Sequence, residues 1–362
     1  MPKTRKRSVV RKIPYARGFK NPKLKTSISA IGDLTQRPTN SNFIPKHYSQ
    51  EGFSLIPEPT SVDDWLAQYN ETGDTYQQFI SGCPWFSTRR QPYLKQTFEP
   101  TGATILAKYP QGKIYLVPLG NFPVGKSPDI SSLMEFTNHF FCCPVKVMST
   151  LHLEFTKNNK VILVRPDSVK IQLTSRFHVK TGSFQLKVDS VLKELKELIP
   201  DDALCLIGFT MADLYETTPD LFVAGMAGGR NRVGVFSFCR YNPSVSFSQE
   251  HWYQLVEDVV SIREEEFKRI MLLRSCRLMV HEISHLFGLG HCIWFSCIMN
   301  GAGHLEEDFK QPMFLCPVDL RKLQSLFGFD VVSRYKRLGA FFRNNKMKEE
   351  ESWIENRIVK IC

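Results

Sequence analysis

Three histidines, one glutamate and one glycine fall at fixed offsets within residues 281–291 of a 362-residue chain. The stretch begins Val280-His281-Glu282-Ile283-Ser284-His285-Leu286-Phe287-Gly288 and continues through Leu289 and Gly290 to His291. On a helix, residues four apart share a side, so the imidazoles of His281 and His285 can grip one ion. Glu282 is offset from them, placed to reach a water beside that ion rather than the ion itself, as a general base must be. Gly288 lets the helix stop in a left-handed turn. That turn can return His291 to the same ion as a third nitrogen ligand. Three protein ligands leave a tetrahedral zinc with one open position, the arrangement of a hydrolytic ion rather than a structural one. The competing reading is a core helix that carries histidines by accident. It explains the two helical histidines but not the glycine and third histidine at matched offsets.

These side chains need a rigid support. Leu272, Cys276, Met279, Ile283 and Leu286 recur at alternating spacings of four and three, which makes one apolar stripe along a helix. His281 and His285 fall on the opposite side. Such a helix packs its back on a core and turns its histidines toward a cleft. Glu264, Glu265 and Glu266 mark its start, where negative charge suits the helix dipole.

Before this helix, alternating strand and helix signals build a body. Lys113 to Leu119 reads as a strand between Gly112 and Gly120, Asp129 to Phe141 as a helix, and Pro144 to Met148 as a second strand. That order is the unit of a parallel pair joined by a crossover helix. Val161 to Val164 and Val169 to Leu173 are short strand candidates around an Asn158-Asn159 turn. Leu186 to Ile199 is an amphipathic helix. The run from Ala203 to Phe209 is apolar almost throughout, as in a strand buried on both faces. A glycine-bearing stretch, Gly225 to Gly229, leads to Gly234-Val235-Phe236-Ser237-Phe238, read as an amphipathic edge strand. A polar connection from Asn242 to Glu250 then leads to the histidine helix. Upstream, Ser61 to Leu66 reads as a capped helix start and Thr75 to Ile80 as a second helical face. Downstream, Pro317 to Phe327 and Val331 to Phe342 have helical apolar spacing, and Trp353 to Ile361 reads as a short terminal helix.

The apolar fraction of 42% and charged fraction of 23% are those of an ordinary globular protein, which excludes a disordered or fibrous chain. No apolar run approaches the roughly eighteen residues of a membrane span. The basic N-terminus is followed by no apolar core of a secretory signal. The 10 cysteines are therefore expected in a reducing compartment as thiols or metal ligands. We expect a cytoplasmic protein, with nuclear entry through the basic run as the alternative. The net charge of +11 is local. Residues 1–26 hold ten Lys and Arg (Lys3, Arg5, Lys6, Arg7, Arg11, Lys12, Arg17, Lys20, Lys23 and Lys25) and no acid. Taking those ten from 47 leaves 37 basic residues against 36 acidic, so the remainder offers no basic surface for nucleic acid. Any contact with polyanions is expected to be nonspecific and through this tail.

At this point the sequence resembles the archaemetzincin family of zinc metallopeptidases. The resemblance is carried by His281 to His291 followed by Cys292, then Cys297-Ile298-Met299, and Cys316-Pro317-Val318-Asp319. It implies a metzincin-like α+β fold: a mixed, mostly parallel twisted sheet with a backing helix and an active-site helix, plus a small, mainly helical C-terminal subdomain. The division expected is a basic disordered tail (1–30), an N-terminal extension (31–105), an upper catalytic subdomain (106–290), a lower one (291–345) and a C-terminal tail (346–362). The resemblance also implies two Zn2+ ions. One, catalytic, would sit on His281, His285 and His291; the other, structural, would sit on four cysteines. Here Cys292, Cys297 and Cys316 are present, and Asp319 stands where the family has its fourth cysteine. A carboxylate can ligate zinc at a similar distance, and His304 or water is the alternative. Met299 resembles the methionine that lies beneath the catalytic metal in metzincins. The implied activity is hydrolysis of peptide bonds, aminopeptidase-like, with Glu282 activating a zinc-bound water. Peptide substrates would pair with the strand at Gly234, Val235 and Phe236. The alternative is a weak or inactive zinc-stabilised binding protein. Neither a membrane nor a partner subunit is implied, and a monomer is favoured.

Overall fold

The computed structural model describes residues 12–35, 42–91, 94–156, 160–228, 231–244 and 262–362. The Asn158-Asn159 turn, most of the 242–250 connection and the basic run through Arg11 lie outside the described residues. The first strands are β1 (Lys113–Leu119), β2 (Val145–Val147), β3 (His152–Phe155), β4 (Val161–Val164), β5 (Lys170–Leu173) and β6 (Ser175–His178). They are followed by β7 (Ser183–Lys187), β8 (Ala203–Thr210), β9 (Asp213–Tyr215), β10 (Gly225–Gly228) and β11 (Val233–Ser237). Four short helices precede β1: α1 (Leu24–Ala30), α2 (Trp65–Gln68), α3 (Tyr76–Gly82) and α4 (Ile105–Lys108). The body carries α5 (Ile130–Phe141), α6 (Val188–Leu198) and α7 (Glu264–Leu286). Past these come α8 (Leu305–Phe309), α9 (Pro317–Phe327), α10 (Val331–Asn344) and α11 (Lys348–Ile361).

The central sheet has the order β10-β11-β8-β1-β2. β11, β8, β1 and β2 run parallel, and β10 is antiparallel to β11. This is the mixed, mainly parallel sheet expected, and β1 and β2 flank the crossover helix α5. Successive side chains of β1 go to opposite faces. Ile114 and Leu116 pack with Phe136 and Phe140 of α5 and with Met279 and Ile283 of α7. Tyr115 and Val117 pack with Val191 and Leu195 of α6. Both faces are covered, which is why β8 is apolar nearly throughout and buried along its whole length. Two small sheets, β3-β4-β5 and β6-β7-β9, lie outside this layer.

Several expectations are corrected. The strand at Gly234, Val235 and Phe236 is not an edge: β11 is paired with β8 on one side and β10 on the other, and all its residues are buried. The outer strand is β10. The segment Gly-Met-Ala-Gly has weak strand propensity by itself and is a strand because β11 pairs with it. The tail expected over 1–30 is structured in its second half. α1 forms there, and Phe19, Ala30 and Ile31 join the main core, since apolar side chains punctuate the basic ones. The C-terminal tail expected over 346–362 is packed on the core: the helix read at Trp353 to Ile361 is present as α11, begins earlier at Lys348, and is anchored by buried Ile354 and Ile361. Leu186 belongs to β7, so the amphipathic helix begins at Val188.

One apolar cluster runs from the sheet through α7 to α9, α10 and α11, so the core does not divide at residue 290. The extension enters the same cluster through Tyr48, Phe79, Cys83, Trp85 and Tyr109. It also finishes α7. The last carbonyls of a helix have no partner within it; here Trp85 Nε1 donates to Leu286 O at 3.2 Å and Cys83 Sγ to Phe287 O at 3.4 Å.

Candidate metal centre and cleft

α7 spans 23 residues with three glutamates in its first turn, as its sequence requires, and ends one turn after His281. Gly288 follows at a φ of 89°, and a Cβ there would lie 3.1 Å from Cys83 Sγ. The position therefore needs glycine for both conformation and space. The chain then doubles back and brings His291 beside the helix. Ring centroids of His281, His285 and His291 are separated by 4.7, 5.1 and 5.5 Å.

Each of the three rings has its Nδ1 on an acceptor. His281 Nδ1 donates to Ile298 O at 2.7 Å, His285 Nδ1 to Leu289 O at 2.7 Å, and His291 Nδ1 to Glu71 Oε1 at 2.9 Å. The proton of each neutral imidazole is thereby fixed on Nδ1, leaving Nε2 as a lone pair. The Nε2 atoms of His281 and His285 face each other at 3.0 Å. Two lone pairs so close repel unless a cation lies between them, so the donor set fits a metal ion. One ligand atom from each histidine lies within 4.8 Å of the others. Burial holds His281 well below the usual imidazole range, helped by the neighbouring imidazoles, and lowers His285 to about 4. Both rings are thus kept in the ligating form. Glu282 opens on the same cleft; burial raises its carboxyl to about 7, His291 opposes that shift and Asp308 adds to it. Glu71 is held below the usual carboxylate range by its bond with His291.

The cleft has a volume of about 430 Å³. Beside His281, Glu282 and His291 it is lined by Phe222 to Gly225, leading into β10, and by Trp65 and Tyr69 of the extension. Those two rings stack with centroids 4.1 Å apart, and Trp65 meets His291 edge-on at 4.8 Å.

A second group lies behind this site. Cys292, Cys297, Cys316 and Asp319 are fully buried, each offering a ligand atom within 4.8 Å of the rest. Cys292 and Cys316 sulfurs are 3.6 Å apart, and Asp319 Oδ2 lies 3.3 Å from Cys297 Sγ and 3.6 Å from Cys316 Sγ. Asp319 turns its other oxygen to Lys322 Nζ at 2.9 Å. Three thiols and a carboxylate converging in a dry interior fit a closed tetrahedral zinc site. The buried lysine offsets part of their negative charge. His304 is not in this group; its Nε2 pairs with Asp64 Oδ1 at 2.8 Å. Met299 is fully buried in the same loop, and its carbonyl accepts from Cys292 N at 2.7 Å. Asn300 staples the loop: its amide donates to Cys292 O and Phe295 O and accepts from Cys297 N.

Sequence reasoning located the histidines, Glu282, the cysteines and Asp319, and the structure brings them together as two groups. It missed Glu71, the Trp65–Tyr69 wall, Asn300 and Lys322. Lys322 was visible as a basic residue one turn after Asp319. Glu71 gave no signal, being 220 residues from its partner.

A helix presenting two histidines and a glutamate, a returning third histidine and an adjacent open cleft define a zinc-dependent hydrolase. The sequence model of peptidase family M54 matches residues 145–325. Archaemetzincin-2 of Rattus norvegicus is 32% identical over 332 residues, covering 88% of this chain and 82% of the relative. Archaemetzincin-2 of Homo sapiens is 32% identical over 331 residues with the same coverage. A crystal structure of archaemetzincin from Methanopyrus kandleri matches with 20% identity and a TM-score of 0.37, covering 59% of this chain and 94% of that one. The chain belongs to peptidase family M54, the archaemetzincins, and is a zinc metallopeptidase.

Proposed function

We propose that the protein hydrolyses peptide bonds in the cleft between β10 and the extension, with zinc held by His281, His285 and His291 and with Glu282 as general base. The observation that carries this reading is the gathering of one ligand atom from each of His281, His285 and His291 within 4.8 Å, with His281, His291 and Glu282 lining one open cleft. Zinc bound there supplies Lewis acidity toward water and the scissile carbonyl. Glu282 takes a proton from the attacking water and returns it to the departing amine. A cation beside it favours its ionised, basic form. The substrate backbone runs along the outer edge of β10, where the described residues hold no further strand. That replaces Gly234, Val235 and Phe236, which are buried inside the sheet, as the binding edge.

Trp65 and Tyr69 line the cleft together with the segment that leads into β10, and such an aromatic wall favours peptides and chain ends over large folded proteins, in an aminopeptidase-like preference. Cys292, Cys297, Cys316 and Asp319 would hold a second zinc, which would brace the loop that carries His291 and Met299. Met299, buried next to the Ile298 whose carbonyl accepts from His281 Nδ1, would be the counterpart of the metzincin methionine. None of the ten cysteines is in a disulfide, which leaves Cys292, Cys297 and Cys316 available as ligands. Among the described residues no helix is long and apolar enough to cross a membrane.

The test is turnover of a peptide library by wild type and Glu282→Gln, with zinc content measured on both. Cleavage by wild type, and its loss in a variant that retains zinc, is the expected result. A wild type that binds zinc without cleaving any peptide would leave the binding-protein reading in its place.

A further inference from the structure

His281 and His285 are set by a long helix, but His291 lies past its end on a returning loop. Its ring needs an anchor that the helix does not supply. The other two rings rest on backbone carbonyls of Ile298 and Leu289, close to the motif itself. His291 rests on a side-chain carboxylate from the extension, Glu71, at 2.9 Å. This is the one ionised acceptor among the three, and it lies outside the 145–325 region of the family match.

The carboxylate is itself held. Trp65 Nε1 donates to the same Oε1 atom at 2.8 Å, while the Trp65 ring meets His291 edge-on. Trp65 is fixed in turn by its backbone N donating to Glu307 Oε2 at 2.9 Å. The loop after His291 is shaped around this segment. A Cβ on Gly301 would come within 2.4 Å of the Trp65 ring, and one on Gly303 within 2.1 Å of Asp63 O.

We propose that Glu71 is the positioning residue for the third histidine, so that the N-terminal extension completes the catalytic metal centre through a Trp65–Glu71–His291 chain. The inference rests on the reading that the three histidines hold zinc. A carboxylate on Nδ1 fixes the tautomer, orients the ring and raises the basicity of Nε2, and removing such a partner lowers metal affinity about 10–100-fold.

The experiment is zinc affinity by chelator competition on the full chain, together with the visible absorption of the cobalt-substituted protein. Wild type is compared with Glu71→Gln, Glu71→Ala, Trp65→Phe and His281→Ala. His281→Ala tests the underlying reading: it must lose one bound metal, and if it does not, the three-histidine site itself is wrong. Given that loss, Glu71→Ala is expected to weaken that zinc about 10–100-fold. Glu71→Gln, which keeps an acceptor but not the charge, should fall between, and Trp65→Phe should give a smaller loss. The cobalt spectrum should shift in the Glu71 variants, and the melting temperature of the metal-free protein should change little. Unchanged zinc affinity and an unchanged cobalt spectrum in Glu71→Gln and Glu71→Ala would overturn the proposal and leave Glu71 as an ordinary tie to the extension.

Discussion

At the scale of single residues, the chemistry is concentrated in buried side chains whose protonation their surroundings shift. Glu282→Gln keeps size and helix but removes the proposed base. Turnover is expected to fall by about 10²–10⁴-fold, as for loss of a general base, with zinc content unchanged by metal analysis. Asp319 is a second such residue. It is fully buried, burial raises its carboxyl to about 7, and it is the salt-bridge partner of buried Lys322. Asp319→Ala strands a buried ammonium, which costs on the order of 3–5 kcal/mol. The expected readout is a large drop in denaturation midpoint and the loss of one zinc per chain. The histidines and Glu282 were legible in sequence because their spacing is local and helical. Cys292, Cys297, Cys316 and Asp319 were legible only through the resemblance to the archaemetzincins, not through their spacing. Glu71 was not, because no periodicity relates a residue on an upstream loop to a ring 220 positions later.

At the scale of elements, α7 is the clearest success of pattern reading, since one apolar stripe and one acidic first turn set both its face and its start. The parallel β1–α5–β2 unit was legible for a similar reason. Strand order was not. β10 has two glycines in four residues and no alternation, so the outer edge was assigned to the better strand former beside it. α2 is a single turn that begins at Trp65 rather than at the expected cap Ser61, because Asp64 turns back to accept from Thr60 N and Ser61 N. The end of α7 carries its own test. Gly288→Ala places a side chain at positive φ and against Cys83. It is expected to destabilise the fold by about 1–3 kcal/mol in thermal or chemical denaturation. Zinc affinity should fall with it, since the turn returns His291.

At the scale of the whole molecule, the extension and the C-terminal helices are parts of one core. Buried arginines act as clips between chain segments far apart in sequence. Arg321 donates to Ile31 O and Asp33 O, and Arg357 to His47 O, Ser49 O and Glu51 O. Composition made the start of the chain look peripheral, because the basic charge of residues 1–26 is conspicuous and the scattered aromatics that follow are not. A chain lacking residues 1–100 loses Tyr48, Phe79 and Trp85 from the core as well as Glu71. It is expected to show no cooperative unfolding transition by circular dichroism and no peptide turnover. A folded, active truncated chain would count against this account.

The Arg357 clip spans 310 positions, and the Glu71–His291 contact spans 220. Contacts so distant in sequence form late, after the entropy of closing very long loops has been overcome. During synthesis the extension emerges first and must wait for α7 and the returning loop before its aromatic side chains find cover. The hydrolytic centre is therefore among the last features to assemble, and a half-made chain lacks the means to attack its neighbours.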